Sequence, residues 1–438
     1  MEEQLTTMPL WALIPFVLML LMIALGPLFM EEWWEKNSSK LIVSLALGIP
    51  TAIYLISNGL AHNLEHQMLS DYIPFIALLG SLFIITGGIH LSGDIKAKPE
   101  INVLFLAIGY VIASFMGTTG AAMLLIRPII ATNSQRKYTT HTILFFIAAI
   151  ANCGGLLTPL GDPPLFLLYL RGAEFTWFLN MLPEWALVGT LLLAVYYFVD
   201  RYFYKKENWV NLSADTREVK PIKIEGGVNF IFLLGVILSV AFINKNYIPA
   251  MGEEHPPVYI AFLRDIVLVA LSAMAWFFTK KETRAKNSFS WTPIIEIAVV
   301  FLGIFITMTP ALIYLGQNAA SFNMTEPSQF YYVTGALSAF LDNAPTAVAF
   351  HGVAEGLVNS GAAASEVAGV PALLLQAISM GAVFFGAMTY IGNGPNFMVK
   401  SIAEASGIKM PSFFGYILKF SLIVLLPIYV LVQLIFLL

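Results

Sequence analysis

Residues 152–164 read Asn-Cys-Gly-Gly-Leu-Leu-Thr-Pro-Leu-Gly-Asp-Pro-Pro and lie inside an apolar run, 139–171, that is otherwise suited to one transmembrane helix. Proline lacks a backbone N–H donor, and glycine permits backbone dihedrals that other residues avoid. The helix is therefore predicted to open at 161–164 and to expose carbonyl oxygens that water cannot satisfy in hydrocarbon. A bound cation would satisfy these oxygens; the alternative is a simple kink that neighbouring helices satisfy.

The second half of the chain contains a matching interruption inside the apolar run 372–405. Residues 389–398 read Thr-Tyr-Ile-Gly-Asn-Gly-Pro-Asn-Phe-Met, and four of these ten residues are identical to those at 158–167. Both interruptions place a polar side chain at the break, Asp162 in the first half and Asn393 in the second. Because self-similarity within a chain indicates a structural repeat, we predict that the two halves share one architecture.

Two further apolar stretches, 101–132 and 326–357, are interrupted at mid-length. The first breaks at Gly-Thr-Thr-Gly, residues 117–120, and the second at Asp-Asn-Ala-Pro-Thr, residues 342–346. Each stretch is too long for one span and too short for two, since a span needs about 20 residues. Each is therefore predicted to form a re-entrant hairpin, which membranes tolerate only where protein buries the irregular backbone or where it lines a cavity.

The composition is that of a polytopic membrane protein. Of 438 residues, 58% are hydrophobic and 11% are charged, whereas about 25% are charged in a typical soluble domain. The formal net charge of −4 and the lack of a basic patch argue against a nucleic-acid partner. A single cysteine, Cys153, excludes internal disulfides and cysteine-cluster metal sites.

We predict an all-α polytopic fold with about ten transmembrane helices, two re-entrant hairpins and two broken helices. The bilayer is the expected environment of the ten predicted spans, which are 8–30, 40–58, 71–92, 139–171, 177–203, 226–243, 258–279, 290–317, 372–405 and 413–438.

Basic residues orient these spans. Nineteen of the 23 Lys and Arg residues fall in six segments that the positive-inside rule assigns to the cytoplasm, namely 31–40, 93–100, 133–138, 201–225, 280–289 and 400–419. With these sides the two halves run in opposite directions. We therefore predict a first inverted repeat at 1–203, a cytoplasmic linker at 204–225 and a second inverted repeat at 226–438.

Asp162 and Asp342 are the acids that indicate a function. An ionised aspartate at the centre of a bilayer costs about 2.5–3.5 kcal/mol on insertion scales, so such a residue is taken as functional by default. Inverted repeats with broken helices place the ion site near the bilayer midplane between the repeats. The predicted ligands of Na⁺ and H⁺ are Asp162, Asp342, Asn343, Asn393, Asn396, Thr118, Thr119, Thr158, Thr346 and Thr389. Any single threonine among them could equally serve helix packing instead of binding the ion.

A different class of function is suggested by His62, Glu65 and His66, which match the H-x-x-E-H pattern of some zinc peptidases. Two histidines four residues apart can share a helix face and a metal ion. The pattern is predicted to lie in a short loop outside the membrane, without an obvious third ligand. We therefore favour a transporter over an intramembrane peptidase, and expect neither catalysis nor a transition-metal site.

The motifs at 152–164 and 341–346 resemble those of the ion transporter superfamily, which includes NhaD-type sodium/proton antiporters, arsenite permeases and citrate-transporter-like proteins. The residues Gly154, Gly155, Pro159, Gly161 and Asp162, with Asp-Asn-Ala-Pro at 342–345, are most similar to the NhaD-type pattern. The dicarboxylate carriers of the same fold use Ser-Asn-Thr tips, which this chain lacks.

The resemblance implies an elevator-type homodimer, in which a scaffold supports a moving transport domain that contains both hairpins. It also implies a sodium/proton antiporter of the inner (cytoplasmic) membrane, with Na⁺ as the transported ion and no cofactor. The alternative is a Na⁺- or H⁺-coupled transporter of citrate, a dicarboxylate or an oxyanion such as arsenite.

Overall fold

The computed structural model describes residues 7–217, 219–253 and 256–438, and in these ranges the chain is mostly helical. Eight helices of the described ranges are long and apolar enough to cross a membrane. A helix suits this environment because all of its backbone hydrogen bonds form within its own segment. The predicted all-α polytopic membrane fold is therefore confirmed.

Three helical spans precede the first interrupted region. Their segments are Leu10–Leu13, Ile14–Phe29, Glu31–Trp34, Asn37–Ser57, Ala61–His66, Gln67–Tyr72 and Ile73–Thr86. The first half ends with the helices Phe175–Met181 and Leu182–Tyr204.

The second half contains a similar number of spans around its own interrupted region. The helices before that region are Asn229–Phe242, Pro249–Gly252, Val258–Ala261, Leu263–Phe278, Lys281–Lys286, Thr292–Asn318 and Ala319–Phe322. The chain closes with Phe413–Tyr416, Ile417–Leu425 and Leu426–Phe436.

The predicted span 71–92 is wrong at both ends. The helical segment begins at Ala61, because the apolar residues of 61–70 are interleaved with polar ones and escape a search for an apolar run. It ends at Thr86, where Gly87 and Gly88 pack so closely on Phe289 and Asn229 that a Cβ atom would lie 2.6 Å and 2.7 Å from those side chains. The H-x-x-E-H pattern consequently lies on a helix and not in a loop.

A small antiparallel sheet joins the predicted linker to the first half. The strand His90–Asp94 pairs with Lys220–Glu225, and the helix Trp209–Arg217 precedes the second strand. The Nζ atom of Lys286 lies 2.6 Å from Oε1 of Glu225, and this exposed ion pair holds the pKa of Glu225 below its usual value. The linker therefore has secondary structure of its own.

The first hairpin consists of the helices Pro99–Met116 and Thr118–Thr132, which pack against each other. The chain turns at Gly117, whose φ of +81° and ψ of 145° lie in a region that is essentially restricted to glycine. The break occurs where the sequence predicted it. Whether the hairpin re-enters the membrane stays a prediction.

The second hairpin consists of Pro327–Ser338 and Asn343–Asn359. Its second helix begins after Asp342, whose carboxylate accepts a hydrogen bond of 3.0 Å from the backbone N–H of Ala344. This is an ordinary N-cap, because an aspartate oxygen satisfies a donor that the first turn leaves free. The second tip thus forms from residues 339–342, immediately before the predicted break.

The two broken helices have the same construction in both halves. In the first, Thr140–Ala149 is followed by the 3₁₀ turn Cys153–Leu157 and then by Pro163–Leu170. In the second, Ala372–Phe385 is followed by the 3₁₀ turn Gly386–Met388 and then by Gly394–Ala405. The opening in the first half spans 150–162 and is wider than the predicted 161–164, because the 3₁₀ turn Cys153–Leu157 departs from the α-helix before the glycine and the prolines are reached. The repeat boundaries stay a prediction.

The long helix Thr292–Asn318 links the second hairpin to the outer helices. It packs against Asn37–Ser57 on one side and Asn343–Asn359 on the other. Both contacts rely on glycine: a Cβ atom on Gly303 would lie 2.7 Å from Oγ of Ser44, and one on Gly356 would lie 2.3 Å from the carbonyl oxygen of Gly316. Such small residues let helices approach closely in a membrane, where dispersion replaces the hydrophobic effect.

Candidate ion-binding site

Asp162 occupies the position before the helix Pro163–Leu170, yet its side chain does not cap that helix. The first two helical residues are prolines, so the nearest backbone positions offer no N–H for a cap. The extended backbone at Asp162, with φ of −147° and ψ of 142°, directs the chain into the break. The local sequence therefore leaves the carboxylate available for partners from other segments.

Three side chains from three separate segments donate hydrogen bonds to the Asp162 carboxylate. Oγ1 of Thr118 and Nδ2 of Asn393 lie 2.8 Å and 3.1 Å from Oδ1. Nδ2 of Asn343 lies 2.6 Å from Oδ2. Asp162 is 1% exposed. Both hairpin tips and both breaks thus meet at one buried carboxylate.

Glycines allow the break to fold around Asp162. A Cβ atom on Gly161 would lie 2.0 Å from the carbonyl oxygen of Gly155, and a Cβ atom on Gly392 would lie 2.7 Å from that of Gly386. The carbonyl oxygen of Gly161 accepts a hydrogen bond of 2.8 Å from the backbone N–H of Thr118. At least one of the carbonyls that the break exposes is therefore satisfied by the first hairpin, as the kink alternative required.

An asparagine that the sequence analysis did not select extends this network. Oδ1 of Asn152 accepts a hydrogen bond of 3.2 Å from Asn393, and Nδ2 of Asn152 donates one of 2.7 Å to Asn396. Asn396 in turn donates to the carbonyl oxygens of Gly386 and Thr389, at 2.8 Å and 2.9 Å. All three asparagines are buried. Asn152 could have been identified from its position in the sequence, since it is a polar residue at the start of a glycine-rich motif inside an apolar run.

The remaining predicted threonines do not contact Asp162. Thr158 and Thr389 donate to the backbone carbonyl oxygens of Ser114 and Ala339, which lie in the two hairpins. Thr346 donates to the carbonyl oxygen of Asp342 at 2.8 Å, within its own turn. These three hydroxyls therefore stabilise the two breaks and the second tip through hydrogen bonds to backbone carbonyl oxygens. Thr119 is half-buried and faces a cavity instead.

That cavity lies between the two tips and the outer helices and has a volume of about 100 Å³. Its polar lining comes from Asp342, Asn343, Asn393, Thr118 and Thr119. Its apolar wall includes Phe83, Ile294, Ile297 and Phe301, and no Lys, Arg or His lines it among the described residues. The cavity therefore connects a partly exposed aspartate with the donors that surround Asp162.

Asp162 and Asp342 have different partners. The Asp342 carboxylate caps its own helix, whereas Asp162 is held by three side chains. Asn343 connects the two acids, because it follows Asp342 in the chain and its side chain donates to Asp162. Among the described residues the two carboxylates share no direct hydrogen bond.

The H-x-x-E-H pattern gains no support as a metal site. His62, Glu65 and His66 lie on the helix Ala61–His66. Within residues 7–217, 219–253 and 256–438, no group of three or more His, Cys, Asp or Glu side chains is placed to hold a metal ion.

Comparison with known proteins assigns nearly the whole chain to one family. The model of a family described as "Putative citrate transport" matches residues 5–437. The chain is also 23% identical, over 288 residues, to the "Inner membrane protein YbiR" of Escherichia coli (strain K12), an alignment that covers 62% of this chain and 69% of that protein. These findings confirm the resemblance to the ion transporter superfamily. The helical spans and the family match together describe a multi-pass membrane transporter of the citrate-transporter type. The chain therefore belongs to this citrate-transport family.

Proposed function

We propose that this transporter exchanges sodium ions for protons, and that Asp162 carries the exchanged charge. The observation that supports this proposal most directly is the environment of Asp162: a carboxylate that is 1% exposed and held by three uncharged donors, beside a cavity that no basic side chain of the described residues lines.

A buried carboxylate in this setting needs a neutralising partner. Removing an ionised group from water is costly unless a counter-charge or a proton compensates it. Thr118, Asn343 and Asn393 supply hydrogen bonds but no charge. A proton and a sodium ion are both small enough to compensate the charge, and they compete for the same oxygen atoms. This competition is the basis of exchange.

The size and lining of the cavity favour a cation over a multivalent anion. The volume of the cavity is about 100 Å³. Sites for drug-sized ligands span about 300–1,000 Å³. An anion with several carboxylates would also face Asp342 without a basic partner in the lining. A sodium ion with one or two waters fits these conditions better.

The ligand set that we propose consists of oxygen atoms, which hard cations prefer. Asp162 would supply a carboxylate oxygen, Asp342 a second one, and the amide groups of Asn343 and Asn393 would present oxygen after rotation. Thr118 would keep its hydrogen bond to Asp162. Asn396, Thr158, Thr346 and Thr389 would act as supports that hold the breaks open, and Thr119 would line the approach.

Coupled citrate transport is the second candidate, because the family description names citrate. In that case a sodium ion or proton at Asp162 would accompany the anion. The N-termini of the helices Pro163–Leu170 and Gly394–Ala405 would face the anion, since helix N-termini attract negative charge. This candidate requires a larger cavity in another conformation of the protein.

The two candidates differ in proteoliposomes that contain a pH-sensitive dye. Under the exchange proposal, addition of Na⁺ releases protons from the lumen in the absence of citrate, and citrate does not change the rate. Under the second candidate, proton or sodium movement requires citrate, and labelled citrate accumulates. Liposomes with the Asp162→Asn variant serve as the matched control.

The outcomes separate the candidates. Citrate-independent exchange that disappears in Asp162→Asn supports sodium/proton exchange at this site. Accumulation of citrate without proton counterflow contradicts it and supports coupled citrate transport. Exchange that persists in Asp162→Asn would place the ion elsewhere in the protein. The inner-membrane location, the homodimer and the elevator movement stay predictions from the family resemblance.

A further inference from the structure

A second polar cavity lies where the first broken helix begins and the second one ends. Its volume is about 390 Å³. It is formed by the end of the first hairpin, the start of the helix Thr140–Ala149 and the loop after Gly394–Ala405. The hydrogen bond of 3.0 Å from Oγ1 of Thr140 to the carbonyl oxygen of Lys409 joins two of these segments. Both halves of the chain therefore build this cavity.

The cavity is lined by three cations and by no carboxylate among the described residues. The cations are Arg136, Lys137 and Lys409. Hydroxyl groups and an amide complete the polar lining, from Ser134, Thr139, Thr140, Ser406 and Asn133. Such a lining is suited to a group with several anionic oxygen atoms, which can accept hydrogen bonds from both ammonium and hydroxyl donors.

The charge of these cations is only partly compensated. Asp200 forms an ion pair with Arg136 at 2.5 Å, but Nε of Arg136 is buried and has no hydrogen-bond partner, although the residue is only 5% exposed. Nζ of Lys137 lies over the ring of Tyr138 at 5.5 Å, and no described carboxylate pairs with it. Lys409 is exposed, and within the described part of the chain no ion pair or hydrogen bond holds its ammonium group.

The remaining acids near the cavity form hydrogen bonds or ion pairs with groups other than the cavity cations. The carboxylate of Glu207 accepts hydrogen bonds from the backbone N–H groups of Lys137 and Tyr138, at 3.1 Å and 2.8 Å. Glu404 pairs with Lys400 at 2.9 Å. Neither acid lines the cavity. The ammonium groups of Lys137 and Lys409 are thus available to a ligand.

The start of the helix Thr140–Ala149 adds to this potential. Thr139 precedes the helix and makes no side-chain cap, although its carbonyl oxygen accepts a hydrogen bond of 3.0 Å from the N–H of Thr142, and both Thr139 and Thr140 line the cavity. A helix N-terminus of this kind carries about half a positive charge and binds phosphate oxygen atoms.

We propose that this cavity binds a phosphate-bearing group, such as the headgroup of an anionic phospholipid, through Lys137, Lys409 and the hydroxyl groups of its lining. The segments 133–138 and 400–419 belong to the side that the positive-inside rule assigns to the cytoplasm, where anionic lipids attract basic residues. Because the cavity joins the first hairpin to the second broken helix, a bound phosphate would tie the two halves together at this end.

Native mass spectrometry of the detergent-solubilised full-length protein tests the proposal. Phosphatidylglycerol, phosphatidylcholine and inorganic phosphate are titrated separately against the wild type and the Lys137→Gln/Lys409→Gln variant. The matched control is Lys281→Gln, an exposed lysine in a segment assigned to the same side, which lies outside the cavity. We expect the two cavity lysines to contribute about fivefold each to affinity for an anionic group.

Tight binding of phosphatidylglycerol, about 25-fold weaker in the double variant and unchanged in Lys281→Gln, supports a lipid headgroup as ligand. Binding of inorganic phosphate with the same loss supports a soluble phosphate as the source. Equal affinity for phosphatidylglycerol and phosphatidylcholine with no phosphate binding, or equal losses in the cavity and control variants, overturns the proposal. The melting temperature of each variant shows that it is folded.

Discussion

Replacement of Thr118 by valine tests the ion site through one hydrogen bond. The two side chains have similar shapes, so Thr118→Val removes the hydroxyl that lies 2.8 Å from Oδ1 of Asp162 and little else. A hydrogen bond to a charged group contributes about 1.5–3 kcal/mol. Sodium binds the ionised carboxylate, whereas a proton takes the place of sodium and neutralises the carboxylate. Loss of this hydrogen bond therefore disfavours the sodium-bound state. We expect the apparent sodium affinity to fall by about tenfold to a hundredfold, at 1.4 kcal/mol per tenfold.

The assay measures the sodium concentration that gives half-maximal proton release from proteoliposomes. The matched control is Thr307→Val, which makes the same change in the helix Thr292–Asn318, where the buried hydroxyl donates only to the carbonyl oxygens of Gly303 and Ile304. We expect the half-maximal concentration of this control to stay within twofold of the wild type. An unchanged concentration in Thr118→Val would refute the assignment of Asp162 as the sodium ligand.

The remaining predictions concern charge, backbone and stability. Asp162→Asn and Asp342→Asn should each abolish sodium/proton exchange while the protein still inserts into membranes, because the first removes the carboxylate that carries the exchanged charge and the second removes a proposed carboxylate ligand of sodium; exchange retained by both variants in proteoliposomes contradicts the mechanism. Gly117→Ala should destabilise the protein by about 1–3 kcal/mol, since alanine disfavours its φ of +81°; a thermal melt compares it with Gly227→Ala, where a Cβ atom meets nothing within 4 Å. Asp200→Asn should cost about 3–5 kcal/mol because Arg136 keeps a buried, unpaired charge, whereas Glu404→Gln, which breaks an exposed pair, should cost about 1 kcal/mol or less; equal losses in unfolding experiments would contradict the burial argument.

The parts of the fold that follow from local chemistry were predictable. Proline and glycine at 161–164 predicted the first break, and the glycine at 117 predicted the first tip, because their effects on the backbone act within a few residues. The acids were recognised for a similar reason, since an aspartate in an apolar run is costly wherever the helix lies. These signals identified Asp162, Asn343, Asn393 and Thr118, which the structure brings together.

The roles of individual threonines could not be predicted, because they depend on which hairpin lies beside which break. Thr158 and Thr389 occupy equivalent positions in the two motifs, and both hydroxyls bind a backbone carbonyl in the hairpin of their own half. Sequence spacing gives neither the packing of the hairpin nor the direction of the hydroxyl. The same limit hid Asn152, whose partners Asn393 and Asn396 lie more than 200 residues away in the chain.

The pairing of the halves explains why one aspartate has so many partners. Asp162 and Asn393 occupy matching positions, and their backbones are nearly identical, with φ and ψ of −147° and 142° against −150° and 140°. The side chain of Asn393 donates to Asp162, so the second half neutralises no charge but supplies a hydrogen bond to the first. Two aspartates in these positions would face each other across about one hydrogen-bond length, and their repulsion would force one of them to keep a proton. The substitution of asparagine for aspartate in the second half therefore leaves a single buried charge at the centre of the site, which one sodium ion or one proton can balance.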